Sequence, residues 1–101
     1  MPFFYYLPMP SLEPEVCQRE ASVKIVSLLV NPGTWISIDY PIALVTCGEF
    51  NYQILANGEG ILRNFLKEEG STLNFGENLA VVVADGESIP YGKPYSKAKK
   101  V

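Results

Sequence analysis

The chain has 101 residues, 48% apolar and 19% charged, with eight glycines and eight prolines, which suits one domain of short elements joined by turns. It has no histidine and only two cysteines, which excludes His general bases, catalytic triads, His-ligated zinc and a disulfide framework within the chain. Net charge is −3, but residues 1–90 set four basic side chains against all eleven acids, a balance of −7 that opposes nucleic-acid binding.

Phe3-Phe4-Tyr5-Tyr6 opens the chain as a first strand or, near an open end, as a homodimer contact. Val23 and Ile25 alternate with Ser22 and Lys24 in a strand that runs to Leu28-Leu29-Val30. Asn31-Pro32-Gly33 breaks it, proline fixing φ and glycine permitting a left-handed turn. Ile36 and Ile38 then alternate with Ser37 and Asp39, and Ile42 to Thr46 reads as a buried strand. Cys47-Gly48-Glu49 is a tight turn, after which Phe50-Asn51-Tyr52-Gln53-Ile54 returns as the second arm of a hairpin. Asn57 to Gly60 is another turn. Residues 61–69 have helical spacing at Ile61, Leu62, Phe65 and Leu66, but glycines at 60 and 70 confine any helix to two turns. Leu79 to Val83 is a last apolar strand. Pro90, Gly92 and Pro94 then lead into Lys97, Lys99 and Lys100. Residues 1–88 are therefore expected to fold and 89–101 to form a flexible basic tail, or one that docks on an acidic partner. Turns every 8–12 residues indicate an all-β sandwich or closed barrel.

A shift of 37 residues lays the sequence over itself without a gap. Leu28 to Gly33 falls on Phe65 to Gly70, Thr34 on Ser71, Ile36 on Leu73, Ile38 on Phe75, and Ile42 to Val45 on Leu79 to Val82. Each copy is a strand, a turn ending in Gly and then Thr or Ser, a spacer and a second strand. Neither copy can bury its apolar face alone, so two packed about a pseudo-twofold axis make one flattened barrel. Equivalence with the strand before Asn31 decides for strand over helix at 61–69.

Tyr6-Leu7-Pro8-Met9-Pro10-Ser11-Leu12, Leu29 to Thr34, Asp39-Tyr40-Pro41-Ile42-Ala43, Gly60-Ile61-Leu62, Glu69 to Leu73 and Gly76 to Ala80 together resemble the biotinyl/lipoyl carrier domain family. The match runs without insertions from Val30 to Val83. The resemblance implies a barrel-sandwich hybrid of two quasi-twofold related four-stranded halves. It further implies that the hairpin between the halves carries the lysine that accepts lipoate or biotin. Here that turn is Cys47-Gly48-Glu49-Phe50, with Glu49 at the modified position. A carboxylate offers no ε-amine for the amide, and no lysine lies between Lys24 and Lys67. The resemblance thus describes a degenerate member, unlipoylated and without cofactor or metal, acting as a protein-binding or adaptor module.

The alternatives are a pseudo-carrier still recognised by a ligase or by 2-oxo acid dehydrogenase components, and a thiol redox protein using Cys47 and Cys17, which the resemblance would bring together. Partner contacts are expected at Glu49, at Trp35, which alternation turns outward unless it packs over the Asn31-Pro32-Gly33 turn or Tyr40, and at Tyr52. No apolar run reaches the roughly 18 residues of a membrane helix, and no basic signal start is present. A soluble cytoplasmic chain is expected, with a protein partner and neither a membrane nor a nucleic acid.

Overall fold

A computed structural model describes residues 2–12, 22–85 and 95–101. Their regular elements are all strands: β1 (Pro2–Pro8), β2 (Ser22–Leu28), β3 (Trp35–Ile36), β4 (Pro41–Cys47), β5 (Phe50–Ala56), β6 (Gly60–Phe65), β7 (Thr72–Asn74), β8 (Asn78–Asp85) and β9 (Ser96–Lys100). They form two antiparallel sheets, β1-β8-β6-β3 and β7-β2-β4-β5-β9, packed as the expected flattened barrel-sandwich. Among the described residues no helix is long and apolar enough to cross a membrane. The strand reading of 61–69 holds for β6, where Leu62 is buried between exposed Ile61 and Arg63, a period of two.

The 37-residue repeat is written into the backbone. It carries β2 onto β6, β3 onto β7 and β4 onto β8, while β1 takes the place of β5 beside its neighbour. A register irregularity between Ile25 and Ser27 recurs between Leu62 and Asn64. Gly33 (φ 92°) and Gly70 (φ 87°) close equivalent turns in the left-handed region that glycine enters without a Cβ clash. The Gly33 N–H donates to the Leu62 carbonyl and the Gly70 N–H to the Ile25 carbonyl, both at 2.7 Å. Each half therefore hangs its turn on a strand of the other, which is why neither half closes alone. The core repeats as well: Ile25 with Leu62, Ile36 with Leu73, Ile42 with Leu79 and Val45 with Val82 are all fully buried.

Three features differ from the sequence expectation. The basic end is not a flexible tail over Ser96–Lys100: this segment is β9, paired along β5 from Ala56↔Ser96 to Tyr52↔Lys100. The reason is alternation of small and long side chains. Ser96 and Ala98 turn inward, leaving the lysines at the rim, and Tyr95 lies against Tyr5 with ring centroids 4.8 Å apart. Lys97 forms an ion pair with Asp39, and the Ser96 hydroxyl donates to the Pro8 carbonyl. The expected boundary at residue 88 lies outside the described residues. Leu79 to Val83 is thus not the last strand, and one sheet gains a fifth member. Finally, Ile38 does not follow Ile36 inward, because β3 ends at Ile36 and the turn carrying Asp39 at φ 71° leaves Ile38 exposed.

Candidate functional site

Strands β4 and β5 close on the pair Cys47↔Phe50, leaving Gly48-Glu49 as a two-residue loop. Gly48 takes φ 60° and Glu49 does not share its sign, the pattern of a type II′ turn, whose first central position favours glycine. The Thr46 hydroxyl braces the turn by donating to the Phe50 carbonyl at 3.2 Å. Glu49 is exposed at the tip. At this position the carboxylate is open to contact with another molecule.

Sequence reasoning missed a second component of the tip. Strand β9 runs antiparallel to β5 and therefore ends beside the hairpin, with the Val101 N–H donating to the Asn51 carbonyl at 2.9 Å. The Lys100 ammonium lies 4.5 Å from the centroid of the Phe50 ring, a cation–π distance. An exposed carboxylate and a stacked ammonium thus share one end of the molecule. The available signal was the alternation in Ser96-Lys97-Ala98-Lys99, masked by its charge density.

The other candidates do not gather at this tip. Cys47 is buried, occupying in its half the core position that Ala84 fills in the other. Its partner in the redox reading, Cys17, lies outside the described residues. Tyr52 is corrected from surface contact to core: it is 2% exposed, on the same inward face of β5 as Ile54. Trp35 is exposed, as alternation required. It sits away from the hairpin, because β5 runs from the tip to the far end, where residues 57–59 feed the start of β6, and Trp35 pairs there with Ile61. Phe3, Phe4 and Tyr6 are also exposed. Tyr5 is buried, its hydroxyl donating to the Glu59 carbonyl at 3.0 Å. Burial first, then Glu59 and Tyr95, push the Tyr5 phenol up to about 12. Among the described residues no three His, Cys, Asp or Glu side chains cluster as metal ligands.

No protein-family model and no curated protein matches the chain. Among solved structures, it is similar to the solution structure of the lipoyl domain of the 2-oxoglutarate dehydrogenase complex from Azotobacter vinelandii. The TM-score is 0.58 over 79% of this chain and 98% of that one, at 21% sequence identity. That likeness is one of backbone, and it makes this chain an all-β domain with the biotinyl/lipoyl fold.

Proposed function

We propose that the chain is a soluble, cytoplasmic protein-binding module on a lipoyl-type scaffold, not an enzyme, and that it carries no lipoyl or biotinyl group. The observation that supports this reading is the β4–β5 turn, where the exposed residue is Glu49 and no ε-amine stands in the loop. Amide formation with lipoate or biotin needs a nucleophilic amine, and a carboxylate supplies none. The tip instead presents Glu49 and, over the ring of the neighbouring Phe50, the Lys100 ammonium, exposed opposite charges at one end of the molecule suited to fixing the orientation of a partner.

Incubation with a lipoate ligase and a biotin ligase, followed by intact-mass measurement, tests the first half of the proposal. No mass gain is expected for the native chain, whereas Glu49→Lys, with its amine at the same tip, is expected to accept the group. A cofactor-sized gain on the native chain, mapped to any lysine including Lys100, overturns it. The binding half is tested by retention of a host protein on the immobilised chain. Glu49→Arg is expected to abolish that retention while leaving the circular dichroism spectrum intact; undiminished retention removes the hairpin from the interface.

A further inference from the structure

The pseudo-twofold axis supplies an internal control for the outer surfaces of the two sheets. Across β1, β8, β6 and β3 the cross-strand register aligns Phe4, Val83, Ile61 and Trp35 in one row. The equivalent row across β5, β4, β2 and β7 is Asn51, Thr46, Lys24 and Thr72. One row is wholly apolar and the other wholly polar, at positions with the same backbone and the same outward direction. The next row repeats the contrast more softly, with Tyr6-Val81-Asn64 against Gln53-Leu44-Ser27. The fold therefore does not require an apolar residue at these sites.

Phe4 is 57% exposed, Trp35 56%, Tyr6 50% and Ile61 44%. Together these four leave roughly 450 Å² in water, the size of the largest apolar patch on a typical monomer, which is often a functional one. Arg63 borders the row, and its guanidinium lies over the Phe4 ring, 5.0 Å from the centroid.

We infer that this face packs against the same face of a second copy of the chain, burying the Phe4-Val83-Ile61-Trp35 row in a twofold dimer. The area carries the choice of occupant. A specific interface needs about 500–800 Å² per partner, and the four side chains with Val81, Val83 and the Arg63 stem reach the lower part of that range. The chemistry agrees, since the Phe4-Val83-Ile61-Trp35 row carries no charge and the Arg63 guanidinium bordering it is already stacked on Phe4, so the complement of the row is another apolar sheet face. A twofold axis over the row sets Phe4 opposite the partner's Trp35 and Val83 opposite the partner's Ile61. Sheets stack face to face at about 10 Å, which side chains of this size fill. The surface is distinct from the hairpin, so the inference does not depend on the role of Glu49.

Sedimentation equilibrium of the full chain, from low micromolar to near millimolar concentration, is the test. Trp35 is the single tryptophan, so its emission reports burial of this face in the same samples. A dimer is expected, with Trp35 emission moving to shorter wavelength as dimer forms. The double variant Ile61→Lys with Trp35→Thr copies the residues that the other half carries at these sites. It is expected to weaken dimerisation roughly a hundredfold or more, with an unchanged circular dichroism spectrum. Phe4→Asn, which keeps the tryptophan, is expected to return its emission to the solvent-exposed position at concentrations where the native chain is dimeric. A native chain that stays monomeric with concentration-independent emission overturns the inference and leaves the face to a different protein. A dimer that persists in the double variant overturns it equally, by placing the interface elsewhere.

Discussion

The half built on β2, β3 and β4 and the half built on β6, β7 and β8 share their turns, their bulges and the hydrogen bonds that cross between them. They differ in what surrounds that frame. One outer face is apolar where the other is polar, and the β5 edge is covered by β9, while no described strand covers the outer edge of β1. Backbone geometry here is held by glycine placement and by reciprocal hydrogen bonds, which tolerate almost any outward side chain. The outward positions were thus free to diverge. Divergence that turns four consecutive cross-strand positions from polar to apolar points to a surface with a use.

The largest expected effect comes from one inward position at which the halves are not alike. Val23 is buried in its half, whereas its counterpart is Gly60 at φ 150°. A Cβ on Gly60 would lie 2.6 Å from the Val83 carbonyl oxygen and 2.7 Å from Val82 Cγ1. The first of these is backbone and cannot swing aside. Gly60→Ala is expected to cost roughly 2–4 kcal/mol from overpacking and backbone strain together, read as a lowered urea midpoint. A midpoint within error of the parent would mean that β6 and β8 can separate locally, and that the two halves are less rigidly matched than their hydrogen bonds imply.

Removing residues 95–101 would make the two sheet edges alike, each without an added strand. The loss includes the Tyr5–Tyr95 contact, the Ala98 contact with the core and the ladder along β5. About 2–3 kcal/mol is expected from that area and those hydrogen bonds, a fall in melting temperature of roughly 10–20 °C. An unchanged melting temperature would return this segment to the role of a loose tail.

That segment also marks the limit of what the sequence made legible. Turn glycines and a gap-free repeat identified the sandwich, the hairpin and a strand within 61–69, of which residues 61–65 are strand and 66–69 already turn, because those depend on local spacing. Strand β9 depends instead on a distant edge: Ser96 and Ala98 fit only against β5 and β1, and nothing within residues 95–101 reveals that surface. Tyr52, expected as a surface contact, is core instead, and the signal was local: alternation across Phe50, Tyr52 and Ile54 already points it inward. The apolar row was hidden for another reason. Phe4, Ile61, Trp35 and Val83 are scattered along the chain and become neighbours only through register.

Asp39 offers a smaller test of the symmetry. It holds φ 71° where its counterpart Gly76 holds 82°, a region that costs a residue with a Cβ about 1 kcal/mol. Its ion pair with Lys97 offsets part of that cost, so Asp39→Gly in the full chain is expected to be close to neutral. In the chain lacking residues 95–101 the same change should stabilise by roughly 0.5–1 kcal/mol. Equal effects in both backgrounds would show that the ion pair contributes nothing. Tyr5 adds a pH dependence. Its phenol titrates near 12 when folded and near 10 when unfolded, so the unfolded chain releases its proton first, and stability falls as pH rises from about 10 to 12. Tyr5→Phe should flatten that part of the profile.

The smallest effect belongs to a staple that only one half possesses. One Glu77 carboxylate oxygen accepts the Asn74 N–H at 3.0 Å, and the other lies 3.0 Å from the Lys67 ammonium. In the first half Tyr40 and Val30 occupy these positions, and neither can make such contacts. The Asn74 hydrogen bond, followed by Lys67, holds the Glu77 carboxyl below its ordinary value. A group depressed in the folded state stabilises above its unfolded pKa and loses that contribution as pH falls through the folded one. Stability should therefore decline as acid protonates Glu77, and Glu77→Gln should remove that part of the decline while changing little at neutral pH, where solvent screens an exposed pair. Urea midpoints of both proteins between pH 7 and pH 3 make the comparison. Parallel profiles would show that the turn between β7 and β8 does not draw on its Glu77 staple.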